Sequence, residues 1–153
     1  MSQSLVFMMG DFEAEIPNDR TYVRNHMWAV PVGETAYRFG LSAYAVRLLQ
    51  DIYFIEFNVD AGARISLRQE MGAIESKKAE SGIYAPAEGI LTQINPEILG
   101  DPSAINVDKY GDGWLFEIEQ VQAELLSPLE YIAHLANAWE VAQRTIKGQA
   151  NSE

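Results

Sequence analysis

The 153-residue chain has no cysteine, only four lysines and two histidines, and no apolar run long enough to cross a membrane. Without cysteine there are no disulfides, thiolate metal sites or sulfur nucleophiles of its own, a composition that fits a reducing compartment. The glycine pattern of a phosphate loop, the Rossmann fingerprint and the Gly-x-Ser-x-Gly elbow are all missing. His26 and His134 stand far apart in sequence, which argues against a histidine-based metal site and for one loop or strand histidine and one helix histidine. Asp101, Asp108 and Asp112 lack calcium-loop spacing and read as turn formers. Basic residues are scarce too: 11 Lys and Arg against 22 Asp and Glu give a formal net charge of -11. A field of that sign repels nucleic acid and anionic membranes, so neither is expected as a partner.

What is present reads as one folded domain. Hydrophobic residues make up 48% and charged residues 22%, a globular composition in a chain too short for two large domains. Leu5 to Met9 is a short apolar run with no basic residue before it, so neither a membrane span nor a signal peptide is read there, and a cytoplasmic location is expected. From Thr21 to Glu119 short β-rich runs alternate with Gly, Pro, Asn and Asp. Strands are expected at Tyr22 to Val30, Tyr37 to Leu41, Ile52 to Asn58, Met71 to Glu75, Gly82 to Ala85, Gly89 to Ile94 and Trp114 to Glu119. The run from Ile52 has little polar alternation and is expected to be covered on both faces. A short helix capped by Ser42 should present Tyr44, Val46, Leu48 and Leu49. A second helical turn is expected from Pro96 to Leu99.

The last region changes period. Ser127, Pro128 and Glu130 form a capping box, and Leu129, Ile132, Leu135, Ala136, Trp139 and Ile146 recur at helical spacing, with Gly148 as the expected stop. A single domain, 1 to 153, is expected, with flexible ends.

Two of the four lysines sit side by side in Glu75-Ser76-Lys77-Lys78-Ala79, between two expected strands. An ordinary lysine pair at a turn is a solvated charge that blunts a strand edge. Here the surroundings are more specific. Ile74 to Ala79 followed by Ile83-Tyr84-Ala85-Pro86-Ala87-Glu88-Gly89 resembles the modification hairpin of the glycine cleavage H-protein family of lipoyl carriers. His26 with Trp28, Gly40-Leu41 with Tyr44-Ala45, Gly62, Asn95-Pro96-Glu97, Pro102, Asn106, Tyr110 and Gly113-Trp114 extend the resemblance in order over residues 16 to 146, most of the chain, which it implies is the core of the domain.

The resemblance implies an α+β, mainly β fold, a flattened barrel-sandwich hybrid of the lipoyl-domain kind with peripheral helices and a C-terminal helix. It implies a carrier rather than an enzyme, with lipoate attached covalently to Lys78, not Lys77. Glu75 and Gly89 fall at family positions tied to lipoylation and hairpin shape, although a charged strand end and a turn glycine explain them equally well. The partners implied are a lipoate ligase or lipoyl transferase, and redox or transferase enzymes whose docking surfaces would be basic. The resemblance also places an arm-docking surface at Asn25, His26, Met27 and Gly82. At three of these the family has a Ser-like residue, Glu and Asp, and this chain has Asn25, Met27 and Gly82, so two carboxylates are gone unless Glu80 or Glu13 compensates. On that ground the expected cargo is a sulfur intermediate, as in the H-like lipoate-binding proteins of the heterodisulfide-reductase-like route of sulfur oxidation. The alternatives are the aminomethyl group of glycine cleavage, or an unmodified binding module.

Overall fold

Residues 4–151 are described in the structure, a computed structural model, with side chains placed as far as Arg144. Eleven strands and four helices follow in the order β1 (Ser4–Met9), β2 (Phe12–Pro17), β3 (Thr21–Val23), β4 (Met27–Pro31), β5 (Tyr37–Leu41), α1 (Ala43–Leu49), β6 (Ile52–Phe57), β7 (Arg64–Ile65), β8 (Glu70–Ser76), β9 (Glu80–Tyr84), β10 (Glu88–Ile94), α2 (Pro96–Gly100), α3 (Ala104–Val107), β11 (Phe116–Gln122) and α4 (Pro128–Asn151). Six strands form an antiparallel sheet in the order β3-β4-β5-β11-β10-β7, and β6-β8-β9 form a second, smaller one. The main core lies between them: Met27, Ala29, Phe39 and Ile118 from the large sheet meet Ile55, Met71, Ile74 and Ile83 from the small one. This is the expected mainly-β sandwich with a C-terminal helix.

A second core cluster lies on the other face of the large sheet, where Tyr22 and Trp28 meet Tyr44 of α1 and Tyr131 and Leu135 of α4. Tyr22 and Tyr131 stack with ring centroids 4.6 Å apart. β4 is therefore buried on both faces, Met27 and Ala29 entering one core and Trp28 the other. β6 is not, contrary to expectation: Tyr53 is 64% and Phe54 41% exposed. It is an edge strand, and a register shift between Ile52 and Phe54 lets Ile52 and Ile55 both turn inward.

The helix starts follow their caps. Ser42 accepts from the Ala45 amide, and Asn95 accepts from that of Glu97. At α4 the Glu130 carboxylate accepts from the Ser127 amide at 2.8 Å, while Ser127 Oγ accepts from the Glu130 amide at 3.1 Å, the reciprocal pair of a capping box. Gly148 does not stop α4, which continues to Asn151. Leu129 is 71% exposed, and the helix is anchored instead by Tyr131 and Leu135. The side chain of Ile146 lies outside the described residues.

The amino terminus is not frayed from residue 4 onward. β1 and β2 make a hairpin through Gly10, whose φ of 63° needs the freedom of glycine, and it buries Ala14 and Ile16 in the second core.

Candidate functional site

The β8–β9 hairpin turns at Ser76-Lys77-Lys78-Ala79. The Ser76 amide donates to the Ala79 carbonyl at 2.9 Å, but the Ala79 amide donates to Ser76 Oγ at 3.1 Å, so a side chain closes the turn where a backbone carbonyl ordinarily would. Ser76 is buried, while Lys77, Lys78 and Ala79 are exposed. The turn is also held from outside, because the amides of Lys77 and Lys78 donate to the carbonyls of Asp51, just past α1, and of Leu49, its last residue. That segment is fixed in turn by Asn106, whose amide group donates to the Gln50 carbonyl and accepts from the Ile52 amide. The result is a rigid turn with freely extended lysines, the property a tethered arm requires. Ser76→Ala should cost about 1–2 kcal/mol, the penalty for leaving the Ala79 amide without its partner. The check is hydrogen exchange at Ala79, which should speed up while exchange in β4 stays unchanged.

Glu75 is half-buried at the base of this turn, with Phe54 on one side and Glu80 on the other as its cross-strand neighbours. Two like charges therefore face each other below the lysines. Gly89 is elsewhere. It pairs with Ile65 on β7 and sits where β10 slips register against β11, so it shapes the large sheet and not the lysine hairpin.

Asn25, His26, Met27 and Gly82, far apart in sequence, are brought together around one cleft of about 340 Å³. Its remaining wall is apolar, built chiefly from Leu41, Leu48, Leu49, Ile74, Ile83 and Tyr84. Leu49 links the cleft to the hairpin, since its carbonyl accepts from the Lys78 amide. Asn25 ties the two rims together by donating to the Tyr84 carbonyl at 3.0 Å. Met27 is 3% exposed and belongs to the main core as well as to the cleft wall, so it fills volume and presents a soft apolar floor. The Tyr84 ring lies against Gly82: a Cβ there would come within 2.9 Å of the outer end of that half-exposed ring, which would have to swing aside. Neither Glu80 nor Glu13 lines the cleft; Arg24 does, paired with Glu124 at 2.8 Å. Leu48 and Tyr84 are cleft residues that sequence reasoning missed. The signal available for Leu48 was its place on a helix whose buried face is complete with Ala43, Tyr44 and Val46.

His26 occupies a backbone position with φ 69° and joins the cleft to the second core. Its Nδ1 is 2.9 Å from the Tyr131 hydroxyl, which is 2.8 Å from Ser42 Oγ. His134 stacks beside it at 5.6 Å, so the two histidines do meet in space, but among the described residues no cluster of metal-binding side chains forms. Burial, aided by His134, lowers the His26 pKa from 6.5 to about 4, so the ring is neutral at pH 7. The unfolded chain takes up this proton first, so folding free energy is full above pH 6.5 and falls as the pH drops toward 4, by up to about 3 kcal/mol. His26→Asn, which suits a positive φ, should flatten that slope between urea titrations at pH 7 and pH 4.5.

Several other residues matched at the sequence level serve the frame. Tyr110 donates to the Glu15 carbonyl and accepts from the Ala43 amide. Asn95 donates to the carbonyls of Asp112 and Trp114. Asp108 and Asp101 accept from nearby amides, as turn formers do.

The sequence model described as Glycine cleavage H-protein matches residues 20–143, which leaves the β1–β2 hairpin outside the matched region. The chain is 38% identical over 111 residues to a glycine cleavage system H protein of Pseudoalteromonas atlantica, covering 72% of this chain and 85% of that protein. It is 35% identical over 131 residues to the one of Mycolicibacterium vanbaalenii, covering 81% and 99%. Among solved structures, a glycine cleavage system H protein from Mycobacterium marinum superposes with a TM-score of 0.70 at 33% identity, covering 79% of this chain and 99% of that one.

Proposed function

The chain belongs to the glycine cleavage H-protein family, and from that membership we propose that it carries the aminomethyl group of glycine cleavage between partner enzymes, on an arm attached to Lys78. It is a carrier subunit and not a catalyst, and its cofactor is lipoate held covalently on a lysine. Lipoate supplies a dithiol–disulfide couple that a cysteine-free chain does not have. What the protein contributes is placement. Ser76 and the carbonyls of Leu49 and Asp51 fix the turn, and Lys78 reaches into solvent from it. Glu75 and Glu80 give an acylating enzyme a charged base to recognise beside the target amine. Asn25, His26, Met27 and Gly82 line the cleft where the arm can rest.

The single observation that carries this reading is an exposed lysine at a turn clamped from both sides, next to an apolar cleft of arm-like size. The expectation of a sulfur cargo rested on Asn25, Met27 and Gly82 alone. The relatives above, described as glycine cleavage proteins, support the aminomethyl alternative instead. A net charge of -11 supports partners with basic docking faces: a lipoate ligase or lipoyl transferase first, then the glycine cleavage enzymes. Among the described residues no helix is long and apolar enough to cross a membrane. The test is reconstitution: the lipoylated protein, given glycine and glycine decarboxylase, should acquire glycine-derived carbon. A lipoylated protein that remains unloaded would contradict the assignment.

A further inference from the structure

The β1–β2 hairpin lies outside the region that the family model matches and takes no part in the lysine turn. Its inner face, Leu5, Phe7 and Met9, packs on the second core. Its outer face stays open: Val6 is 48% and Met8 47% exposed, on a strand whose single neighbour is β2. The hairpin closes through the two-residue turn Gly10-Asp11, which makes Met9 and Phe12 the hydrogen-bonded closing pair. The alternate residues Val6 and Met8 therefore direct their backbone N–H and C=O groups away from β2.

Open strand edges are ordinarily blunted, and elsewhere in this fold they are. Strands β3 and β7 are three and two residues long, β6 is bulged between Ile52 and Phe54, β9 carries Glu80 and Gly82, and β2 carries Glu13, Glu15 and Pro17. β1 has none of these devices. It pairs over six residues in unbroken register, and Ser4–Met9 contains no proline, glycine or charge. In a chain of net charge -11, the first ten residues hold no charged side chain.

We propose that β1 is a self-association edge, on which β1 of a second copy pairs antiparallel about a two-fold axis to join the two hairpins into one four-stranded sheet. The register that sets Val6 opposite the second copy's Met8 gathers all four exposed apolar side chains on one face. A second copy is the occupant the charges select. Two chains this acidic repel over most of their surface, but here uncharged strands meet. Glu13 and Glu15 of the two β2 strands stay three strand spacings apart, about 14 Å, which exceeds a Debye length of about 8 Å at physiological salt. A basic partner, favoured by the net charge, would find no counter-charge on β1. One strand pair is a small interface, so the dimer is reversible, with a Kd of roughly 10–100 μM. The lysine turn belongs to the small sheet, which packs against the other core, so the dimer presents two such turns.

Sedimentation equilibrium of the full chain from about 5 to about 500 μM tests this and should show a monomer–dimer equilibrium. Val6→Lys with Met8→Lys sets like charges opposite each other across the pair and should weaken the dimer about tenfold or more. Val6→Lys with Met8→Glu sets opposite charges there and should return it to within about threefold of native. Both side chains are about half exposed, so neither variant opens a cavity in the core. A native chain that stays monomeric over the whole range overturns the proposal, even if the edge then captures a different protein. A dimer that survives Val6→Lys with Met8→Lys, or that Val6→Lys with Met8→Glu does not restore, overturns it as well. Should a variant fail to fold, hydrogen exchange of the native chain decides: the Val6 and Met8 amides should exchange about fivefold more slowly at the high concentration than at the low one. Exchange there that is independent of concentration overturns the pairing.

Discussion

Lys78→Arg abolishes attachment of the lipoyl group by a lipoate ligase, while Lys77→Arg leaves attachment within about a factor of a few. Both side chains are exposed, so neither change removes a buried contact, and each variant should melt within about 0.5 kcal/mol of the native chain. Arginine keeps the charge of the turn but offers no primary amine to acylate, so the comparison isolates chemistry from electrostatics. The contrast between neighbours is informative because the turn treats them differently. The Lys77 amide is held by the Asp51 carbonyl at 2.8 Å and that of Lys78 by the Leu49 carbonyl at 3.4 Å, on the cleft side. Intact mass after ligase treatment and a urea titration of each variant give both readouts. Modification of Lys78→Arg at the native rate would transfer the site to another lysine.

Gly89→Ala strongly destabilises the fold. A Cβ at this position would lie 2.5 Å from the Glu119 carbonyl oxygen and 2.5 Å from Ile118 Cγ2, and the φ of 159° is one that side chains rarely adopt. Backbone cannot yield as the end of a flexible side chain can, so the cost should exceed about 3 kcal/mol. The register slip of β10 against β11 between Glu88 and Ile90 is the feature that brings these backbones so close. If Gly89 acts on the large sheet and not on the hairpin, the fraction of this variant that remains folded should accept lipoate at the native rate. Native stability with impaired lipoylation would reverse that assignment.

The sequence revealed local chemistry better than long-range cover. Ser42, Asn95 and the Ser127–Glu130 box mark helix starts because a capping side chain bonds within three residues of itself. The turn at Lys77–Lys78 was legible for the same reason, and order along the chain carried the resemblance for the rest. The two faces of β6 were not legible, since an edge strand with a register slip has the same residues as a covered one. Gly148 failed as a stop because α4 runs on past it to Asn151. The β1–β2 hairpin was missed although Gly10-Asp11 is a two-residue turn signal, because the apolar run before it was weighed only as a membrane or leader segment.

At the site, the four positions Asn25, His26, Met27 and Gly82 came from resemblance, and the structure unites them. The role of Gly82 needed coordinates. In sequence it is a missing acid; in three dimensions it is the floor beneath Tyr84, and no acid fits there unless the ring moves. Met27 likewise belongs to the core and the cleft at once, a double role that no spacing rule expresses.

Everything functional here depends on which amine bears the arm. Peptide mapping of the native chain after exposure to lipoate and a lipoate ligase tests this most directly. The account predicts one added lipoyl group, located on Lys78 and making the bond after it resistant to trypsin, with Lys77, Lys109 and Lys147 unmodified. A lipoyl group on Lys77, or none on any of the four lysines, would contradict it.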